Sequence, residues 1–149
     1  MMKNIFLKSS KPISQMDIEL LEKKISKKLP IDFVNQYLLS NGGIPSKTYF
    51  YVENDDDYVE ISFFIPIKYP SDKLANMIVE ESYNKLVQIG MPNYYIPFAL
   101  DWGGNYFSID TTNNNIILLL TDLGEFSEKS IKYLSQDFKD FIDNLETDG

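Results

Sequence analysis

At 149 residues, with 44% apolar and 24% charged residues, the chain has the size and balance of one soluble globular domain, able to bury a core without disulfides or a structural metal. It contains no Cys and no His, which removes thiol nucleophiles, Ser-His-Asp triads and every zinc site ligated by those residues. All fourteen basic residues are Lys, against 22 Asp and Glu, for a net charge of −8; the missing Arg and the acidic balance argue against nucleic-acid binding and would steer a basic partner instead.

The opening stretch MMKNIFLKSSKP has three consecutive apolar residues, Ile5 to Leu7, well short of the apolar core of a signal peptide. No apolar run approaches the ~20 residues of a membrane span. Together with the absence of Cys, this sets the expectation of a cytoplasmic protein with no membrane segment.

The stretch ISQMDIELLEKKISKKLP (13–30) predicts a first helix. Ser14 caps its start, Asp17 stands three residues on to complete a capping box, and Ile13 and Ile18 form a hydrophobic staple. Ile18, Leu21, Ile25 and Leu29 fall on one face, with Glu22, Lys23, Lys24 and Lys27 on the solvent side. Pro30 closes this helix and opens a second, whose apolar stripe is Phe33, Val34, Tyr37 and Leu38. The SNGG run (40–43) ends it, with Gly42 or Gly43 in the left-handed conformation of a helix cap.

Residues 48–52 (TYFYV) and 58–67 (YVEISFFIPI) read as an antiparallel strand pair joined by the polar loop 53–57. Ser71 then caps a helix over 72–89, with Leu74, Ile78, Leu86 and Ile89 buried. Strands are predicted at 95–99 and 105–110, flanking the turn DWGG (101–104). The polar turn 111–115 leads to an apolar strand over 116–121, suited to the middle of a sheet. A C-terminal amphipathic helix is predicted within 131–145, its buried face Leu134, Phe138, Phe141, Ile142 and Leu145. The order gives an α+β domain over 1–149, a mainly antiparallel sheet covered by two N-terminal helices and a C-terminal one.

Few residues suggest chemistry. The run Asp55, Asp56, Asp57 with Glu53 and Glu60 lacks the glycine of a calcium loop and reads as a solvated hairpin tip. Asp101 and Asp110 have the residue type of a glycosidase pair, but a carboxylate at a strand-to-turn junction ordinarily bonds nearby backbone amides. NGG and WGG lack the strand–loop–helix setting of a phosphate site. The aromatics Tyr94, Tyr95, Trp102 and Tyr106 cluster in sequence, and Trp and Tyr are enriched where protein surfaces meet.

Four stretches then carry a family resemblance: LPIDFVNQYLLSNGG (29–43) after the first helix, IPFALDWGGNYFSID (96–110), IILLLT (116–121) and LSQDFKDFIDNL (134–145). In this order they resemble the SUKH superfamily of cell-wall-assembly regulators and bacterial toxin-immunity proteins. The region 44–90 matches it least. The resemblance implies an α+β fold, no enzymatic activity, no cofactor, and a cognate protein toxin as partner, basic if the toxin acts on nucleic acid. A regulatory or scaffold interaction module is the alternative, and a hydrolase using Asp101 or Asp110 ranks below both. Candidate partner contacts are Glu53, Asp55, Asp56, Asp57 and Tyr58 on the hairpin tip, with Tyr94, Tyr95 and Trp102.

Overall fold

A computed structural model describes residues 4–149; Met1 to Lys3, part of the opening stretch above, lie outside the described residues. The first helix, α1 (Gln15–Ile25), begins as its sequence dictates. The Ser14 hydroxyl accepts the Asp17 amide at 3.3 Å and the Asp17 carboxylate accepts the Ser14 amide at 2.9 Å. Ile13, Ile18, Leu21, Ile25 and Leu29 are all buried. The helix stops at Ser26, in the left-handed conformation, four residues before Pro30. Glu22 is partly withdrawn from solvent, because its carboxylate accepts the Leu29 amide at 2.7 Å.

Pro30 is the cap residue of α2 (Ile31–Leu39) and not its first helical position. Phe33, Val34 and Tyr37 are buried, whereas Leu38 is exposed. The glycines that follow do not close this helix, since Ser40 ends it in extended conformation. They let backbones touch. A Cβ on Gly42 would lie 2.8 Å from the Phe64 carbonyl oxygen and from the Pro66 nitrogen, and one on Gly43 would lie 2.7 Å from the Leu7 carbonyl oxygen. Both have positive φ, 71° and 120°. This close approach sets the short pair β1 (Phe6–Leu7) and β2 (Ile44–Pro45) beside the main sheet, through the bridge of Gly43 to Phe64.

The main sheet is an antiparallel meander of six strands in chain order: β3 (Tyr49–Val52), β4 (Asp57–Phe64), β5 (Tyr95–Asp101), β6 (Tyr106–Asp110), β7 (Ile116–Leu119) and β8 (Ile131–Ser135). β4 ends at Phe64, earlier than the sequence pattern implied; the Ile65 amide still donates to Phe98 of β5, but the Ile65 carbonyl turns to Tyr37 of α2 and the Ile67 amide to Asn41. The apolar run 116–121 takes a middle position, as predicted, and all of β7 is buried.

Two predicted helices are corrected. Between 72 and 89, Ser71 caps only a 3₁₀ turn over Asp72–Leu74, and Ala75 and Asn76 then adopt left-handed conformations that break the helix. The regular helix is α3 (Val79–Gln88), packed on β5 and α1. It buries Val79, Tyr83 and Leu86, while Ile78 is half-buried and Ile89 is exposed. Within 131–145, the first five residues are β8, since they pair with β7 and satisfy an otherwise open edge. Asp137 caps the helix at that point by accepting the Asp140 amide, which leaves a short α4 (Phe138–Asp143). Leu134, Phe138, Phe141 and Leu145 are nonetheless buried, as their spacing implied, whereas Ile142 is half-buried.

The sheet is curled, with α4 in its hollow. The ring of Phe141 lies 5.0 Å from Phe50 on β3, 5.9 Å from Phe98 on β5 and 5.8 Å from Phe107 on β6. In a flat sheet β3 and β6 would stand about 14 Å apart, too far for one ring to touch both. Phe138 links this group to α2 through Phe33, at 5.2 Å. The curl also brings the two edge strands toward each other.

Two measurements follow. Gly42→Ala adds a Cβ against backbone atoms at a positive φ and should cost about 3–5 kcal/mol in urea unfolding, while Gly104→Ala, at φ 87° with open space around it, should cost only about 1–2 kcal/mol. Equal costs would refute the close-approach role of Gly42. Second, hydrogen bonds from Lys68 and then from the Ser14 amide hold the Asp17 carboxyl below its ordinary 3.8. The folded state thus keeps this group charged to lower pH than the unfolded chain does, and the stabilisation is lost as pH falls below 3.8 through the folded value. Asp17→Asn should be less stable than the parent at neutral pH, with the difference vanishing in that acid range.

Candidate partner-binding surface

The β3–β4 connection is built from residues that tolerate its geometry. Glu53–Asp55 form a 3₁₀ turn and Asp56 takes the left-handed conformation at φ 48°, which acidic and amide side chains accommodate better than most. Glu53, Asp55, Asp56 and Asp57 are all exposed. Asp55 pairs with Lys132 of β8 at 2.6 Å, the Asp56 carboxylate accepts the Tyr51 hydroxyl, and the Asp57 carboxylate accepts the Tyr58 amide at 2.8 Å.

Behind the tip stands a row of tyrosines. Tyr58, half-buried, lies 6.2 Å from Tyr49 and 5.3 Å from Tyr51, in the cross-strand contact that adjacent strands allow. The bonded Asp56 raises the Tyr51 phenol above its ordinary 10.0, Glu60 raises Tyr49, and burial followed by Glu146 raises Tyr58. All three therefore remain neutral hydrogen-bond donors at physiological pH.

The remaining candidates separate. Strand direction puts the β5–β6 turn at the same end of the sheet as the acidic tip, since Asp101 lies opposite Ile61 of β4. Trp102 in that turn is 73% exposed. Tyr94 and Tyr95 stand at the other end, where Tyr95 faces Asp110. Tyr95 is buried, its phenol pushed up to about 12 by burial and then by Tyr94 and Asp110; Tyr94 is half-buried and Tyr106 buried. The same register holds Asp101 and Asp110 at opposite ends of the hairpin, roughly 20 Å apart along the strand. Asp101 instead accepts the amides of Gly103 and Asn105, at 2.9 and 2.8 Å, and Asp110 accepts the amide and hydroxyl of Thr112. Each carboxylate shapes a turn.

The 120–130 connection reaches the same end as the tip and Trp102, because β7 runs parallel to β5 in the meander. Segments 53–57, 101–104 and 120–130 thus place Glu53, Asp55, Asp56, Asp57, Asp101, Asp122, Glu125 and Glu128 at one end of the sheet, against Lys129 and the Lys132 that pairs with Asp55. Sequence reasoning found the tip but missed the other acidic connection, which is distant in sequence and joins the tip only through strand order.

A second feature was equally hidden. A groove of about 390 Å³ opens between the two edge strands, lined by Tyr51 and Glu53 on one side, Tyr133 on the other, and Asp140, Asn144 and Glu146 from the C-terminal segment. Its volume is in the range of ligand-binding clefts. Asp140 is held in place by the Ser135 hydroxyl at 2.6 Å. Glu146 exchanges backbone hydrogen bonds with Tyr49, so the C-terminal segment lies on the outer edge of β3.

Among the described residues no group of acidic side chains has the arrangement to hold a metal ion, and no helix is long and apolar enough to cross a membrane. Comparison with curated proteins finds no match. A family model, the SMI1 / KNR4 family (SUKH-1), matches residues 12–144, a span that takes in all four helices and the whole six-stranded sheet, and the chain belongs to that family.

Proposed function

We propose that the protein is an immunity protein that neutralises a cognate toxin by binding it stoichiometrically, and that the acidic end of the sheet is the surface that meets it. The observation that carries this reading is the collection of eight carboxylates, one of them paired with Lys132, in three connections at the end of the sheet that also carries the exposed Trp102. Such an end presents a concentrated negative field, which speeds encounter with a basic surface and opposes an acidic one. Trp102 supplies the large apolar anchor on which interface affinity characteristically rests. Membership of a family whose members bind protein partners supports the same reading.

A toxin that acts on nucleic acid has a basic cleft, and the tip carboxylates would occupy it as a stand-in for the phosphate backbone. No cofactor and no catalytic residue is needed. The location would be the compartment in which the toxin acts, the cytoplasm for a nuclease.

Co-expression with the product of the neighbouring gene should restore growth, and the two proteins should co-purify. Changing Asp55, Asp56 and Asp57 together to Asn should slow association about tenfold at low salt and flatten its salt dependence. Folding should change by no more than about 1 kcal/mol, because the lost ion pair and hydrogen bonds are exposed. Trp102→Ala should act on dissociation instead. Association rates that match the parent at both low and high salt would exclude the acidic end as the docking surface.

A further inference from the structure

The groove between β3 and β8 is bordered by two strand edges, each of which keeps outward backbone groups that are unpaired among the described residues. The phase of β3 is fixed by Tyr49, whose amide and carbonyl both turn away from β4 to bond Glu146. Two residues on, Tyr51 must also direct its amide and carbonyl outward, as the alternation of an antiparallel ladder requires. On β8 the phase is fixed by Ser130, whose carbonyl accepts the Leu120 amide. Ser130 and Lys132 face β7, and Tyr133 faces away from it. Among the described residues, no other backbone or side chain bonds the outward groups of Tyr51 or Tyr133. Both residues line the groove and are exposed, at 39% and 50%.

The two edges come close at the tip end, where Lys132 of β8 pairs with Asp55, just beyond the end of β3, at 2.6 Å. Glu53, Asp140 and Glu146 line the groove, and among the described residues no lysine does. A segment lying there would present alternate side chains to those carboxylates.

Resting on the reading of the protein as a partner-binding inhibitor, we infer that the groove receives an extended segment of the protein partner. The segment pairs as an added strand with the free edges at Tyr51 and Tyr133, and it carries Lys or Arg at alternate positions. Backbone pairing gives this mode its affinity and the alternate side chains give it selectivity. The C-terminal segment already uses the same edge of β3, where Glu146 pairs with Tyr49. The partner continues that pairing toward the tip.

The test uses the full chain and a synthetic peptide of alternating lysine and valine, with its glutamate–valine counterpart as control. The lysine peptide should bind and slow hydrogen exchange at the amides of Tyr51 and Tyr133, and the glutamate peptide should not. Tyr133→Pro removes the outward amide without touching the bonds to β7, and it should weaken binding about tenfold relative to Tyr133→Val. A lysine peptide N-methylated at alternate residues should lose binding to the unaltered protein, which guards against misfolding of the proline variant. Failure of the lysine peptide to bind, binding with both amides exchanging at their free rates, equal binding of the two peptides, or equal affinity of the Pro and Val variants would each overturn the inference. If it falls while the Asp55, Asp56 and Asp57 variant still slows association of the toxin, the groove is excluded and the acidic-end reading stands. If both effects are absent, both readings fall together.

Discussion

The side chain of Asn41 holds the architecture at its narrowest point. It is buried, and its amide nitrogen donates to the carbonyls of Lys11 and Ile67 at 2.9 Å while its oxygen accepts the Ile67 amide at 2.7 Å. One turn earlier, the buried Tyr37 hydroxyl reaches the carbonyls of Ile65 and Phe98 at 2.7 and 3.1 Å. These bonds satisfy backbone groups of Ile65 and Ile67 just where the chain leaves β4 and the regular ladder ends. Left unpaired in the core, each such group would cost about 1–3 kcal/mol. Through them α2 is fastened to the sheet, Phe33 is set against Phe98 and Phe138, and Phe138 in turn seats α4 in the hollow. The approach of the two edge strands, and hence the groove, is the far end of this chain of contacts.

Local chemistry in the sequence was a good guide wherever the structure is decided locally. The capping box of α1, its buried face, the acidic hairpin and the tight turn at Gly104 are all specified by residues a few positions apart. The pattern misled where a tertiary partner chooses between two local options. Residues 131–135 carry apolar residues at a spacing that suits a helix, but the open edge of β7 takes them as a strand. Leu74 is buried as its position in a helix would require, although Ala75 and Asn76 interrupt that helix. The glycines of the NGG run resemble a helix cap because the backbone they make room for lies more than twenty residues away in sequence.

The proposed binding surface follows the same division. The tip carboxylates are contiguous and visible, whereas the acid run of 122–128 joins them only once the parity of the strands is known. Tyr94 and Trp102 are close in sequence and lie at opposite ends of one strand. The residues that border the groove, Tyr133, Asp140 and Glu146, carry no local signature, since what unites them is the curl of the sheet. A meander with a single turn length altered would keep every local motif and lose the groove.

The strand order also bears on how the chain is made. Each strand from β4 to β8 pairs with its predecessor, so the sheet can grow by sequential additions as residues emerge from the ribosome, the longest closure being the β4–β5 connection that carries α3. The hollow is filled last. Phe138 and Phe141, which touch rings on α2, β3, β5 and β6, and Glu146, which covers the first residue of β3, arrive only after the sheet is complete. Until then the nascent sheet presents an uncovered aromatic face and a bare edge, the two features that invite association between chains. The concentration of acidic residues in the connections at one end would keep neighbouring nascent chains apart during that interval, a protective role for the same charge that we propose meets the partner once folding is done.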